Sequence, residues 1–199
     1  MEFLKTDLQY ALFCAFFVLM LGATLGALMG ASSPEVTQAA QTQYSQSVVN
    51  QTYTKVEEKI EHKEVSLWMG VGLLMSVFVI NNLAVATLIM FLPYYFKNWI
   101  GTLTTSYLLF ITGLIPGVIF AQVAEIRGAA ALSAFVPHGI FEFAAIVIAG
   151  GAAYYYLFTG ARDERKPYIK SVYLKYVVPL IIIAALVELF ITPVVMYMV

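Results

Sequence analysis

Five stretches of this chain are apolar for about twenty residues or more, and that length limits the fold more than any other feature of the sequence. They run approximately from Leu8 to Met29, Ser66 to Leu92, Thr104 to Val123, Leu132 to Phe158 and Tyr173 to Met198. An α-helix rises about 1.5 Å per residue, so about 20 apolar residues cover the roughly 30 Å hydrocarbon core of a bilayer. No water reaches the backbone there, so each run must close its own hydrogen bonds as a helix. The sequence therefore predicts an all-α, polytopic transmembrane bundle of five spans, forming a single domain over residues 1–199. Charged residues are only 12% of the chain, about half the share of a soluble domain, while 61% is hydrophobic.

The near-zero net charge, −1, points to neither nucleic acid nor a polybasic lipid clamp, so the lipid bilayer is the partner that composition implies. A single cysteine, Cys14, within the first apolar run excludes an internal disulfide and a cysteine-based metal cluster. That first run is longer than the apolar region of a signal peptide, and Lys5 is offset by Glu2 and Asp7, so it is read as a membrane helix.

Gly22, Gly26 and Gly30 recur at a spacing of four in the first helix, and Gly113 and Gly117 repeat that spacing in the third, around Pro116. Apolar side chains gain little by leaving lipid, so bare helix faces are where backbones approach closely enough for dispersion contacts. The glycines predict a packing seam, within the fold or between the protomers of a homo-oligomer.

The one sizeable polar stretch is Ala31 to Val65. Ser33-Pro34-Glu35 is a helix-start signal, with Ser as N-cap and Pro at the first helical position. Val36, Ala40, Tyr44, Val48, Val49, Tyr53, Val56 and Ile60 then follow a loosely amphipathic period. A helical hairpin outside the membrane, offering a surface for membrane or envelope protein partners, competes with a mobile loop. Asn50-Gln51-Thr52 fits a glycosylation acceptor if the stretch is external.

Lys and Arg set the orientation. With the N-terminus cytoplasmic, that side holds Lys5, Lys97, Arg162, Arg165, Lys166, Lys170 and Lys175, seven in all, against Lys55, Lys59, Lys63 and Arg127 on the other. The N-terminus is thus expected in the cytoplasm, the polar hairpin and C-terminus outside, in a multi-pass protein of the cell membrane. The charged segment Ala161 to Ser171 reads as a short cytoplasmic turn, a topology anchor or a docking point for an intracellular partner. Trp68, Tyr94, Tyr95, Trp99, Tyr154 to Tyr156, Tyr168, Tyr173 and Tyr176 fall where spans meet headgroups.

Polar residues inside the spans carry the functional question. A charged carboxylate at mid-helix costs about 2.5–3.5 kcal/mol on insertion scales, so buried acids must be neutral, paired or facing a cavity. Glu142 and Glu188 each fall about 14–15 Å from the outer ends of their helices, at matching depth. Asn81 and Asn82 lie mid-span, His138 is one turn before Glu142, and Thr192 follows Glu188. Pro137 predicts a bend or an irregular start near His138, and Pro193 frees the carbonyl of Leu189. These residues fit an interhelical hydrogen-bond network, an ion or proton path, or a ligand site. His138 and Glu142 have the spacing of two zinc ligands on one helix face, but only Glu188 offers a third, so no metal or cofactor is expected. No catalytic motif accompanies them.

Three segments together resemble the stage II sporulation protein M family of membrane proteins. They are Phe78 to Ala86, FVINNLAVA; Pro137 to Glu142, PHGIFE, with Ala145 following; and Ala184 to Pro193, AALVELFITP. The chain has Thr112-Gly113 where the family often has Asn-Gly, and Ala144 where its signature often has Pro. The resemblance implies a non-enzymatic membrane component, similar to a scaffold that holds cell-wall hydrolases in an engulfment complex. A scaffold recruiting partner proteins is the first functional expectation. A small transporter or channel-like protein using His138, Glu142 and Glu188 is the alternative.

Overall fold

A computed structural model describes residues 2–33, 35–36, 38–39, 42, 48–96, 98–158, 162–192 and 194–195. Among the described residues seven α-helices have defined bounds: α1 Glu2–Ser32, α2 Val48–Glu61, α3 Leu67–Phe91, α4 Asn98–Arg127, α5 Val136–Phe158, α6 Arg162–Val172 and α7 Val178–Phe190. No strand occurs among the described residues. Among the described residues five apolar helical stretches are long enough to cross a membrane: Asp7–Ser32, Leu67–Tyr95, Trp99–Ile126, Val136–Phe158 and Pro167–Phe190.

The helices begin and end for local reasons. Ser66 caps α3 by accepting the Met69 amide at 3.3 Å. Gly128 follows α4 at φ 84°, a left-handed backbone that suits glycine and stops the helix. The turn from α2 to α3 places Lys63 at φ 58°, with the Glu64 amide donating to the Lys59 carbonyl at 2.9 Å as a Schellman closure does.

Two boundaries differ from the sequence reading. The segment Ala161 to Ser171 is helical from Arg162, not a turn, and the last apolar span begins at Pro167 rather than Tyr173. Pro179 does not interrupt the rod. It has no amide to give to the Lys175 carbonyl, and the chain widens just before it into one π-helical turn, Tyr173–Val177, so α6 and α7 run on as one rod. Pro34 and the residues beyond Val195 lie outside the described residues, as do Pro193 and, in the expected stripe, Ala40 and Tyr44.

α5 is the central helix. Of its most apolar window, 61% is buried inside the bundle, against 17–28% for the other four spans. Ala145, Ala149, Gly150, Gly151, Ala152 and Ala153 make it narrow, which lets neighbours close on every side. Gly150 lies against Leu109 of α4 and Ala15 of α1, and Gly151 against Leu12 of α1.

The glycine seam lies within the chain. A Cβ at Gly22 or Gly26 would overlap the backbone carbonyls of Phe110 or Leu114 on α4. A Cβ at Gly113 or Gly117 would overlap those of Leu19 or Ala23 on α1. Gly30 continues the contact, 2.9 Å from its would-be Cβ to the Val118 carbonyl oxygen. The two glycine rows therefore interlock α1 with α4.

Candidate functional site

The segment FVPHGIFEFAAIVIAG enters α5 through a short 3-10 turn, Ala129–Ala134. Pro137 is the second residue of the helix, where its missing amide interrupts nothing, so it acts as a start signal rather than a kink. Gly139 resumes the helical pattern, donating its amide to the Phe135 carbonyl at 3.0 Å. The Phe135 ring bridges Phe120 of α4 and the His138 imidazole, with centroids at 5.5 and 6.0 Å.

This start leaves His138 and Glu142 on successive turns, directed at different neighbours. His138 is 8% exposed, and its Nδ1 lies 2.9 Å from the hydroxyl of Thr192, which is also 8% exposed, just past α7. Glu142 accepts a hydrogen bond through Oε1 from the Asn82 side-chain amide of α3. Asn82 in turn accepts from the Asn81 amide at 3.4 Å. Glu188 of α7 is within electrostatic reach of Glu142. One polar layer thus ties together the α3, α5 and α7 side of the bundle.

The pairing differs in detail from the depth argument. The direct partner of Glu142 is Asn82, with Glu188 as an electrostatic neighbour, and His138 turns to Thr192 rather than to Glu142. Asn81 stands apart, on the exposed face of α3. Position 81 is the midpoint of the apolar stretch Leu67–Tyr95, so the Asn82 bond brings Glu142 to the middle of that span. α5 starts six residues, about 9 Å along its axis, before Glu142.

Among the described residues no group of three or more His, Cys, Asp or Glu is placed to hold a metal ion. The chemistry visible in the layer is mutual satisfaction: an amide donates to a carboxyl, and an imidazole pairs with a hydroxyl. Such bonds are worth about 0.6–2 kcal/mol each between membrane helices.

A second polar layer lies toward the opposite ends of these helices, and the sequence reading missed it. Tyr154, Tyr155 and Tyr156 are 2%, 7% and 2% exposed, so they face the bundle and not the headgroups, unlike Trp68, Tyr95 and Trp99 at 78%, 85% and 65%. The Tyr154 hydroxyl is 2.6 Å from that of Ser106 on α4. Tyr156 packs on Tyr94 with ring centroids 4.0 Å apart, and Tyr155 meets Tyr168 at 6.0 Å. Tyr173, in the π turn, reaches Thr87 of α3 at 2.6 Å. The signal was present: three consecutive residues sweep about 200° of a helix, and on a central helix nearly all of that arc meets protein.

Comparison with known families adds one finding. The family model described as stage II sporulation protein M matches residues 15–193. The chain belongs to that family. The match takes in all three resembling segments and extends through most of α1 and the polar stretch, where the resemblance had rested on layout alone. With five membrane-length apolar helices, this member of the stage II sporulation protein M family is a multi-pass integral membrane protein. Neither a curated protein nor a solved structure matches the chain.

Proposed function

We propose that this family member is a non-enzymatic membrane scaffold that recruits partner proteins through its extramembrane helix α2 and the charged start of α6. The observation that most supports this reading is the mutual engagement of the polar layer: Asn82 binds Glu142 and His138 binds Thr192, each across two structural elements. Side chains committed to one another tie helices together and leave the functional surface to the parts outside the membrane.

α2 suits that task. Val56 is 6% exposed, and with Ile60 it packs over Gly70 at the start of α3, while Lys55, Glu57, Glu58, Lys59 and Glu61 face away from the bundle. A short helix is marginal alone in water, so this docking is what holds α2 in place. In the orientation argued from Lys and Arg, the N-terminus is cytoplasmic and α2 and the C-terminus are external. The transporter alternative would need a continuous path past the Asn82–Glu142 bond.

The test is site-specific photocrosslinking in native membranes. A photoreactive residue at Glu57 or Glu61 is expected to give discrete, reproducible protein adducts, and the same residue at lipid-facing Phe17 is not. Sites on α2 and at Arg165 that yield no adduct beyond the Phe17 background would contradict recruitment.

A further inference from the structure

Asn81 is exposed on α3 at the middle of a 29-residue apolar span. Its side chain has two N–H donors and a carbonyl with two lone pairs, and the contact the structure gives it is one donation to Asn82 at 3.4 Å. Lipid tails offer no partner for the rest. An unpartnered amide in an apolar medium costs several kcal/mol, and a side chain this short cannot reach the headgroups about 21 Å away at either end of the span.

The exposed neighbours of Asn81 on the same face of α3 leave room for another helix. Ala84, three residues on, is small and exposed, and Leu88, seven residues on, is 50% exposed.

We infer that α3 is the self-association face of this protein and that two copies pair in the membrane through Asn81. The carboxamide is self-complementary: each N–H can donate to the other's carbonyl. Every copy inserts with the same orientation, so a two-fold axis along the membrane normal sets Asn81 opposite Asn81 at the same depth. No other partner is guaranteed that match. The glycine rows of α1 and α4, which also suggested oligomers from their spacing, are consumed inside each chain.

The pairing is tested with the full-length protein, labelled and reconstituted in phosphatidylcholine bilayers at a series of protein densities, counting photobleaching steps. The parent is expected to shift from one step to two as density rises. Asn81→Leu is expected to weaken dimerisation about tenfold, as loss of interhelical hydrogen bonds in lipid does, while Asn81→Gln keeps it. Ala84→Trp blocks the face without touching the polar row, and is expected to leave single steps. A parent that stays monomeric at every density, or an Asn81→Leu or Ala84→Trp protein that dimerises like the parent, overturns the inference.

Discussion

Replacing Gly26 or Gly113 by leucine is expected to prevent the bundle from forming. Each position faces a backbone carbonyl of the partner helix, Leu114 for Gly26 and Leu19 for Gly113, and backbone cannot turn aside as a side-chain rotamer can. The added atoms must push α1 and α4 apart along their length, and in lipid no hydrophobic gain offsets the lost contact. Overpacking costs about 1–3 kcal/mol at ordinary core sites, and this one belongs at or above the upper end. The readout is the folded fraction in detergent, followed as a monodisperse peak and a thermal unfolding midpoint. Alanine at these positions should already lower the midpoint. Alanine at Gly139, where a Cβ meets nothing within 4 Å, should leave it unchanged or raise it slightly. Equal tolerance at all three positions would remove the seam from the account.

The second large effect is expected at the α3–α5 bond. Asn82→Leu leaves the Glu142 carboxyl without its donor, and Glu142→Leu leaves the Asn82 amide without its acceptor. Each should cost about 1–3 kcal/mol, the price of an orphaned polar group, whereas the double variant should cost clearly less than their sum. A coupling of about 1–2 kcal/mol is the upper range for hydrogen bonds between membrane helices. It is measured as a double-mutant cycle on reversible unfolding in mixed micelles. Strict additivity would mean that the bond contributes nothing to holding α3 against α5.

The five spans were legible because each is a charge-poor run of membrane length, and nothing but a helix hides its backbone in lipid. Glu142, His138 and Glu188 were legible for the opposite reason, being out of place in such runs. Their partners were less so. Depth along the chain pointed to Glu188 for Glu142, but the rotation of each helix about its axis decides which side chains touch, and that rotation put Asn82 in contact and Asn81 outside. The glycine spacing marked a close approach without naming the opposing helix, since Gly22, Gly26 and Gly30 met Gly113 and Gly117 only through the arrangement of α1 and α4. Tyr154 to Tyr156 were misread because tyrosine at a span end usually faces headgroups, a habit that does not hold for a helix enclosed by its neighbours. The charged segment before the last span was read as a turn because charge marks the edge of the apolar layer and does not say whether the helix runs on through it.

The central claim is that the Asn82, His138, Glu142, Glu188 and Thr192 layer is a structural tie in a scaffold and not a transport path. It is tested most directly by proton flux in proteoliposomes carrying an internal pH reporter under an imposed pH gradient, comparing the parent with Glu142→Gln, which keeps an acceptor for Asn82. Both proteins are expected to match empty liposomes. A flux in the parent that disappears in a Glu142→Gln protein of undiminished thermal stability would contradict it.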